Sequence, residues 1–336
     1  MLIAFLLLIV SFVLILAAAE FFTNSIEWLG HRLNLSQGAV GSVLAAIGTA
    51  LPETLVPLLA IFFAKDHAMG HEISTGAILG APLMLSTIAM GIVGIAIYVF
   101  YRQGKRAQPV AEVNNPHMRR DMIFFMVAFT LAVGASFLPN MALKWGAAAL
   151  LITTYIVYVW QVLKHPGEDV EDLSPLYIHK KSEKPHMALI LLQVVGALAL
   201  MLIGAKMFVN QIEHIAIGFA IPALVLAIVI APLATELPEK FNSVIWLKAG
   251  KDTLALGNIS GAMVFQASII PVIGILMTEW KFGDIELVAI LLTFASTIFV
   301  FQLLGRRTQL PYWVFAVGGL MYAVFFAFIL YKSIFS

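Results

Sequence analysis

Two glutamates follow prolines inside stretches apolar enough to cross a bilayer. They are Glu53 in "AIGTALPETLVPLL" (46–59) and Glu239 in "PLATELPEKFNSVIW" (232–246). An ionised carboxylate near the bilayer centre is costly unless a partner, water, a proton or a bound cation compensates it. Proline has no amide hydrogen, so Pro52 and Pro238 leave the carbonyls of Gly48 and Ala234 without their helical donors. Freed carbonyls at membrane depth are tolerated only against protein or a wet cavity, where they serve as neutral oxygen ligands. Thr49 and Thr235 each precede their glutamate by four residues, so hydroxyl and carboxylate share a helix face. Carboxylate, hydroxyl and bare carbonyl are the oxygen set that suits hard cations such as Ca2+ and Na+. Glu53, Glu239, Thr49 and Thr235 therefore form a candidate cation site.

Other polar residues extend this set unevenly. Glu236 has no counterpart, because Ala50 stands at the matching place. It lies four residues before Lys240, a favourable helical pairing, so it is read either as an ion ligand or as the partner of Lys240. Asn258, Ala262 and Gln266 recur every four residues on one face of a later span, whereas the matching face of the first half is Ala77, Ala81 and Leu85. Asn258 and Gln266 are thus one-sided supplements to the site. Gly76 with Gly80, and Gly257 with Gly261, are small-residue pairs that permit close helix contact. Glu27 and Glu213 lie near helix ends, where a solvated structural role is expected, or a place at the two ion entrances.

Elements of membrane length must carry these residues. The chain is 61% hydrophobic and 12% charged over 336 residues. A soluble domain is about half apolar and about a quarter charged, so this is an integral membrane protein. Formal net charge of +1 leaves no bulk field for nucleic acid. Without cysteine there are no disulfides, thiolate metal sites or cysteine nucleophiles. The first 22 residues contain "AAAE", but no positive charge precedes the apolar run as a signal peptide requires, so they are read as a retained first helix. Spans of about 20 residues fall at 2–29, 36–64, 73–101, 121–138, 142–163, 186–213, 219–247, 253–278, 284–304 and 311–335. The expected architecture is all-α with ten transmembrane helices: a first five-helix unit at 1–163, a charged linker at 164–185 and a second five-helix unit at 186–336. Fourteen Lys and Arg fall in connections on the side of the linker and four on the side of the termini. The positive-inside rule then puts the linker in the cytoplasm and both termini outside, in a multi-pass protein of the plasma (inner) membrane.

The halves repeat. At an offset of 186 the two "LPE" triplets coincide, Thr49 meets Thr235, and "FTNSIE" (22–27) stands over "FVNQIE" (208–213). "GAILGA" (76–81) meets "GNISGA" (257–262) at an offset of 181. Five spans per half is odd, so the second half enters from the opposite side, the inverted-topology repeat of secondary transporters.

At these residues the chain resembles the sodium/calcium exchanger family of the cation/calcium antiporter superfamily. "GTALPE" (48–53) and "ATELPE" (234–239) match a family motif close to G-T-S-L-P-E; "GAILGAP" (76–82) and "GNISGAM" (257–263) match a second, close to G-N-x-x-G-S-N, in outline. The resemblance implies ten helices in two inverted repeats, and alternating access with the two glutamates coordinating Ca2+ or Na+ in turn. The chain departs from the family at Ala50, Glu236, Ala77, Ala81, Leu85, Ala262 and Gln266, where ligand-bearing positions differ.

The expected function is a secondary cation antiporter moving Ca2+ in exchange for Na+ or H+, with inorganic cations and the bilayer as partners and no cofactor. Protein partners are left open. An intramembrane enzyme is the contrasting class, and the H-E-x-x-H pairing that would suggest one is absent. The remaining alternative is a non-transporting ion-sensing or structural membrane protein derived from an exchanger, favoured by the apolar face at 77–85.

Overall fold

Apolar runs bounded by short polar turns give this chain its helices. The computed structural model describes residues 2–32, 46–164, 174–179, 185–219 and 221–335, with side chains at 30, 46–51, 163, 233–242 and 333–335 excepted. In chain order the helices are α1 (Leu2–Arg32), α2 (Ala46–Phe63), α3 (His67–Arg102), α4 (Asn115–Gly134), α5 (Met141–Lys164), α6 (Met187–Phe219), α7 (Ala223–Lys248), α8 (Asp252–Met277), α9 (Asp284–Leu304) and α10 (Tyr312–Phe335). All but α2 and α7 are long and apolar enough among the described residues to cross a bilayer; α2 and α7 contribute shorter apolar runs, Pro52–Phe63 and Ala223–Pro232. Exposed side chains such as Ile9, Ile156, Trp160 and Leu320 make an apolar outer surface suited to lipid.

Caps move two helix starts earlier than the apolar pattern indicates. Asp66 accepts the amides of Ala68 and Met69 at 2.8 and 3.2 Å, so the polar "HAMGHE" already belongs to α3. Asn114 accepts the His117 amide at 3.3 Å, with Pro116 in the first turn of α4. Such caps satisfy amides that a helix end leaves orphaned. The connection after α3 holds a short strand, β1 (Val110–Glu112), which pairs antiparallel with β2 (Gln309–Pro311) before α10. A reading by hydrophobic period does not reveal this ribbon, because each strand has only three residues.

Contacts sort the helix ends into two faces. On one, here the terminal face, Phe5 meets Phe219, Lys144 donates to the Glu279 carbonyl, and Lys332 pairs with Asp284. On the opposite, linker face, Arg106 pairs with Asp252, and the Asn115 amide donates to the Gly305 and Arg307 carbonyls. The described part of the linker docks there too. Asn24 and Trp28 of α1 donate to the Ser174 carbonyl, Asn24 Oδ1 accepts from Tyr177 N–H and Gln193 Nε2, and Leu176 is fully buried. Partial burial and the Glu20 carboxylate, which accepts from the Tyr177 hydroxyl at 3.0 Å, raise that hydroxyl above its ordinary pKa.

The two most enclosed spans are α3 and α8, 72% and 61% buried against 17–39% for the other six. Each departs from regular helix near its middle. A wide turn covers Leu85–Ala89 of α3, where the Thr87 hydroxyl bonds back to the Leu83 carbonyl. Between Ser268 and Ile270, α8 breaks just ahead of Pro271. Such interruptions in enclosed spans are a common mark of functional regions.

Candidate cation site

Glu53 is one of several buried carboxylates among the described residues. It occupies the apolar middle of α2, is 7% exposed, and lines a cavity with Val56, Ala77, Ala81, Ala231 and Pro232. The site is thus built where α2, α3 and α7 converge. Its free volume of about 10 Å3 matches the threshold of roughly 10–15 Å3 for one water molecule. A dehydrated cation is of comparable size.

The α3 wall is apolar. Ala77, Ala81 and Leu85 are buried at 7%, 3% and 0% exposure. Close packing carries α3 there: a Cβ at Gly76 would stand 2.8 Å from the Leu224 carbonyl oxygen and 3.0 Å from Ala227 Cβ, and one at Gly80 would meet the Ile228 carbonyl and Pro232. Only glycine allows this approach of α3 to α7. The second pair behaves differently. Among the described residues, Gly257 is exposed with nothing within 4 Å of a built Cβ, and Gly261 meets only the Tyr158 hydroxyl.

Asn258 is half-buried and Gln266 is 2% exposed on α8; neither lines the Glu53 cavity. The backbones at Thr49, Thr235, Glu236, Glu239 and Lys240 run within helices α2 and α7, and the side chains of all five lie outside the described residues. Among the described residues no three of His, Asp and Glu stand together as a metal-binding group. Glu213, expected as a solvated helix-end residue, is instead buried at 5% exposure and accepts the Lys65 amide at 2.9 Å.

Two buried carboxylates escape a reading by repeat. Asp121 of α4 accepts from the Ser260 hydroxyl at 2.7 Å and from Arg120 at 2.9 and 3.1 Å, and the Arg120 guanidinium lies over the Tyr158 ring. Ser260 belongs to "GNISGA", so α4 grips the same stretch of α8 that carries Asn258. Asp252, at the start of α8, accepts from Arg106 and from the Glu112 amide. The available signal was an acid directly beside an apolar run, which alone does not distinguish a helix end from a buried pair.

Comparison with known proteins gives a consistent picture. A family model described as "Sodium/calcium exchanger protein" matches residues 3–164 and 189–334. A protein named as an antiporter, CaxA of Alkalimonas amylolytica, is 26% identical over 284 residues, 82% of this chain and 80% of the relative. The solved H+/Ca2+ exchanger CAX superposes with a TM-score of 0.74 at 16% identity, covering 98% of this chain and 86% of that one. The sodium-calcium exchanger NCX_Mj superposes at 0.60 and 18% identity, covering 97% and 98%. These likenesses show a shared fold. The buried glutamate motif and the match across both halves lead to one conclusion: the chain belongs to the sodium/calcium exchanger protein family, whose members are membrane antiporters and not enzymes.

Proposed function

We propose that this protein is a secondary antiporter that moves Ca2+ in exchange for Na+ or H+ by alternating access at Glu53 and Glu239. The observation that carries the reading is Glu53, a carboxylate buried at helix depth beside a cavity of single-ion size. Two carboxylates are neutralised equally well by one divalent ion, two monovalent ions or protons. Competition for them couples the exchange, since the empty, doubly charged site resists desolvation as it switches faces. Thr49 and Thr235 supply hydroxyl or backbone oxygens, Asn258 and Gln266 supplement one side, and Glu236 either joins them or pairs with Lys240.

The architecture in this proposal is ten transmembrane helices in two inverted five-helix repeats, 1–163 and 186–336, joined by a cytoplasmic linker at 164–185. Supporting it, α1 starts at the terminal face and its counterpart α6 at the linker face, and α3 and α8 run oppositely in the same way. The Lys and Arg bias gives outward termini in the plasma (inner) membrane. One observation favours a second reading, a non-transporting ion-sensing or structural protein: the α3 wall of the cavity has no side-chain ligand at Ala77 or Ala81.

Proteoliposomes loaded with Na+, or carrying a pH gradient, separate the two readings. The parent should accumulate Ca2+ under one of these gradients, and Glu53→Gln and Glu239→Gln should each lower the rate by at least about tenfold, the effect of removing roughly 1.4 kcal/mol of ion-binding free energy. Folded protein that moves no Ca2+ under either gradient overturns the antiporter reading for that ion.

A further inference from the structure

Asp121 is buried at 3% exposure in α4 and divides its two oxygens between two tasks. Oδ1 accepts from the Arg120 guanidinium at 2.9 and 3.1 Å, which balances the charge. Oδ2 accepts from the Ser260 hydroxyl of α8 at 2.7 Å. That hydroxyl stands 3.4 Å from the Gly257 carbonyl of its own helix, so the shorter bond, to the ionised group, draws it toward α4.

Helical geometry puts this handle behind the candidate ligands. At roughly 100° per residue, Asn258, Ala262 and Gln266 fall within about 80° of arc, and Ser260 stands about 160° from its middle. Residues of α5 hold one flank: a Cβ at Gly261 would stand 3.4 Å from the Tyr158 hydroxyl, and the Tyr155 ring meets Phe265 edge-on at 5.4 Å. An outside hold matters here, because α8 breaks between Ser268 and Ile270, just after Gln266. The ligand-bearing part therefore does not inherit its rotation from the far part. Beyond the break, Trp280 covers Gly274 and donates its indole N–H to the Ala132 carbonyl at 2.8 Å, so α4 fastens both parts of α8. At the repeat offset of 181, the first-half place of Ser260 is Leu79, on the helix whose matching face is Ala77, Ala81 and Leu85. Handle and polar face occur together on α8, and apolar residues replace both on α3.

We propose that Asp121 is a positioning residue for ion binding: through Ser260 it fixes the rotation of α8 that presents Asn258 and Gln266 to the cation. The inference rests on the reading above of those two residues as supplementary ligands. Oxygen ligands reach Ca2+ at about 2.3–2.6 Å, so a small turn of α8 loses the contact.

Coupling between variants in Ca2+ affinity tests this. Ser260→Ala removes the handle and leaves the Asp121–Arg120 pair intact. It should raise the KM for Ca2+ uptake, and the Kd for Ca2+ in detergent, about tenfold, the weight of one hydrogen bond to a charged group. The maximal rate should hold, as expected when binding alone is weakened; loss of folded protein would lower that rate instead. Asp121→Asn, which keeps an acceptor oxygen, should raise both constants less. With Asn258→Ala and Gln266→Ala already in place, adding Ser260→Ala should cost less than about twofold more, the usual error of additivity, because the handle then has nothing to present. Parent-like Ca2+ affinity in Ser260→Ala overturns the proposal, as does a loss that adds in full to that of the Asn258→Ala, Gln266→Ala variant. Parent-like affinity in the latter variant removes the α8 ligands and the positioning role together, and leaves the antiporter reading to the Glu53→Gln and Glu239→Gln assays. Coupling in Kd without Ca2+ uptake under either gradient keeps the positioning role and removes the antiporter reading.

Discussion

Buried charge is the main determinant at the residue scale. Each carboxylate with a described partner has a matching donor: Asp121 has Arg120 and Ser260, Asp252 has Arg106 and the Glu112 amide, Glu213 has the Lys65 amide. Removing one member of such a pair strands the other. Asp252→Ala should cost about 3–5 kcal/mol, because Arg106 is only 12% exposed and loses its carboxylate. A drop in melting temperature in detergent would reveal it, and Asp252→Asn, which keeps an acceptor, should lose less. Outside the spans the same chemistry is weak. Lys281 beside Glu279 lowers that carboxylate's pKa, but both side chains are exposed and water screens the pair.

At the scale of elements, the site depends on how closely α3 approaches α7. Glycines at 76 and 80 bring the α3 backbone against Leu224, Ala227 and Ile228, which places Ala77 and Ala81 on the cavity. Gly80→Val should destabilise the fold by about 1–3 kcal/mol, the usual cost of overpacking, because the obstructing Ile228 carbonyl is backbone and has little freedom to move. It should also abolish Ca2+ uptake by forcing α3 away from α7 and distorting the cavity beside Glu53. Gly257→Val, at an exposed position with no neighbour among the described residues, should leave the melting temperature unchanged. Comparing melting and flux for these two variants checks whether the glycine pairs do different work.

At the scale of the whole molecule, the proposed alternating access requires the close α3–α7 contact at Gly76 to separate during transport. A reversible lock tests this. With Gly76→Cys and Ala227→Cys, the built Cβ atoms lie 3.0 Å apart, and a small adjustment reaches the roughly 3.5–4.5 Å of a disulfide. Oxidation should stop Ca2+ uptake, and a reductant should restore it. Uptake that continues with the bridge formed would mean that α3 and α7 do not separate there during transport. Joining the halves on the linker face, the β1–β2 ribbon and the Asn115 contacts tie the α3–α4 connection to the segment before α10.

The sequence by itself determined the membrane class, the placement of most spans, the repeat and its two glutamates, since each is a matter of composition or of local spacing along the chain. It also indicated the apolar face at Ala77, Ala81 and Leu85, because helical periodicity sets which residues share a face. Only the tertiary structure decided that Glu213 is buried against the α2–α3 turn, that Asp121 grips Ser260, and that Gly76 and Gly80 pack tightly against α7. These depend on contacts between residues 139 or more apart in the chain. Local pattern carries no record of such contacts, because periodicity fixes which residues share a helix face and not which distant helix that face meets.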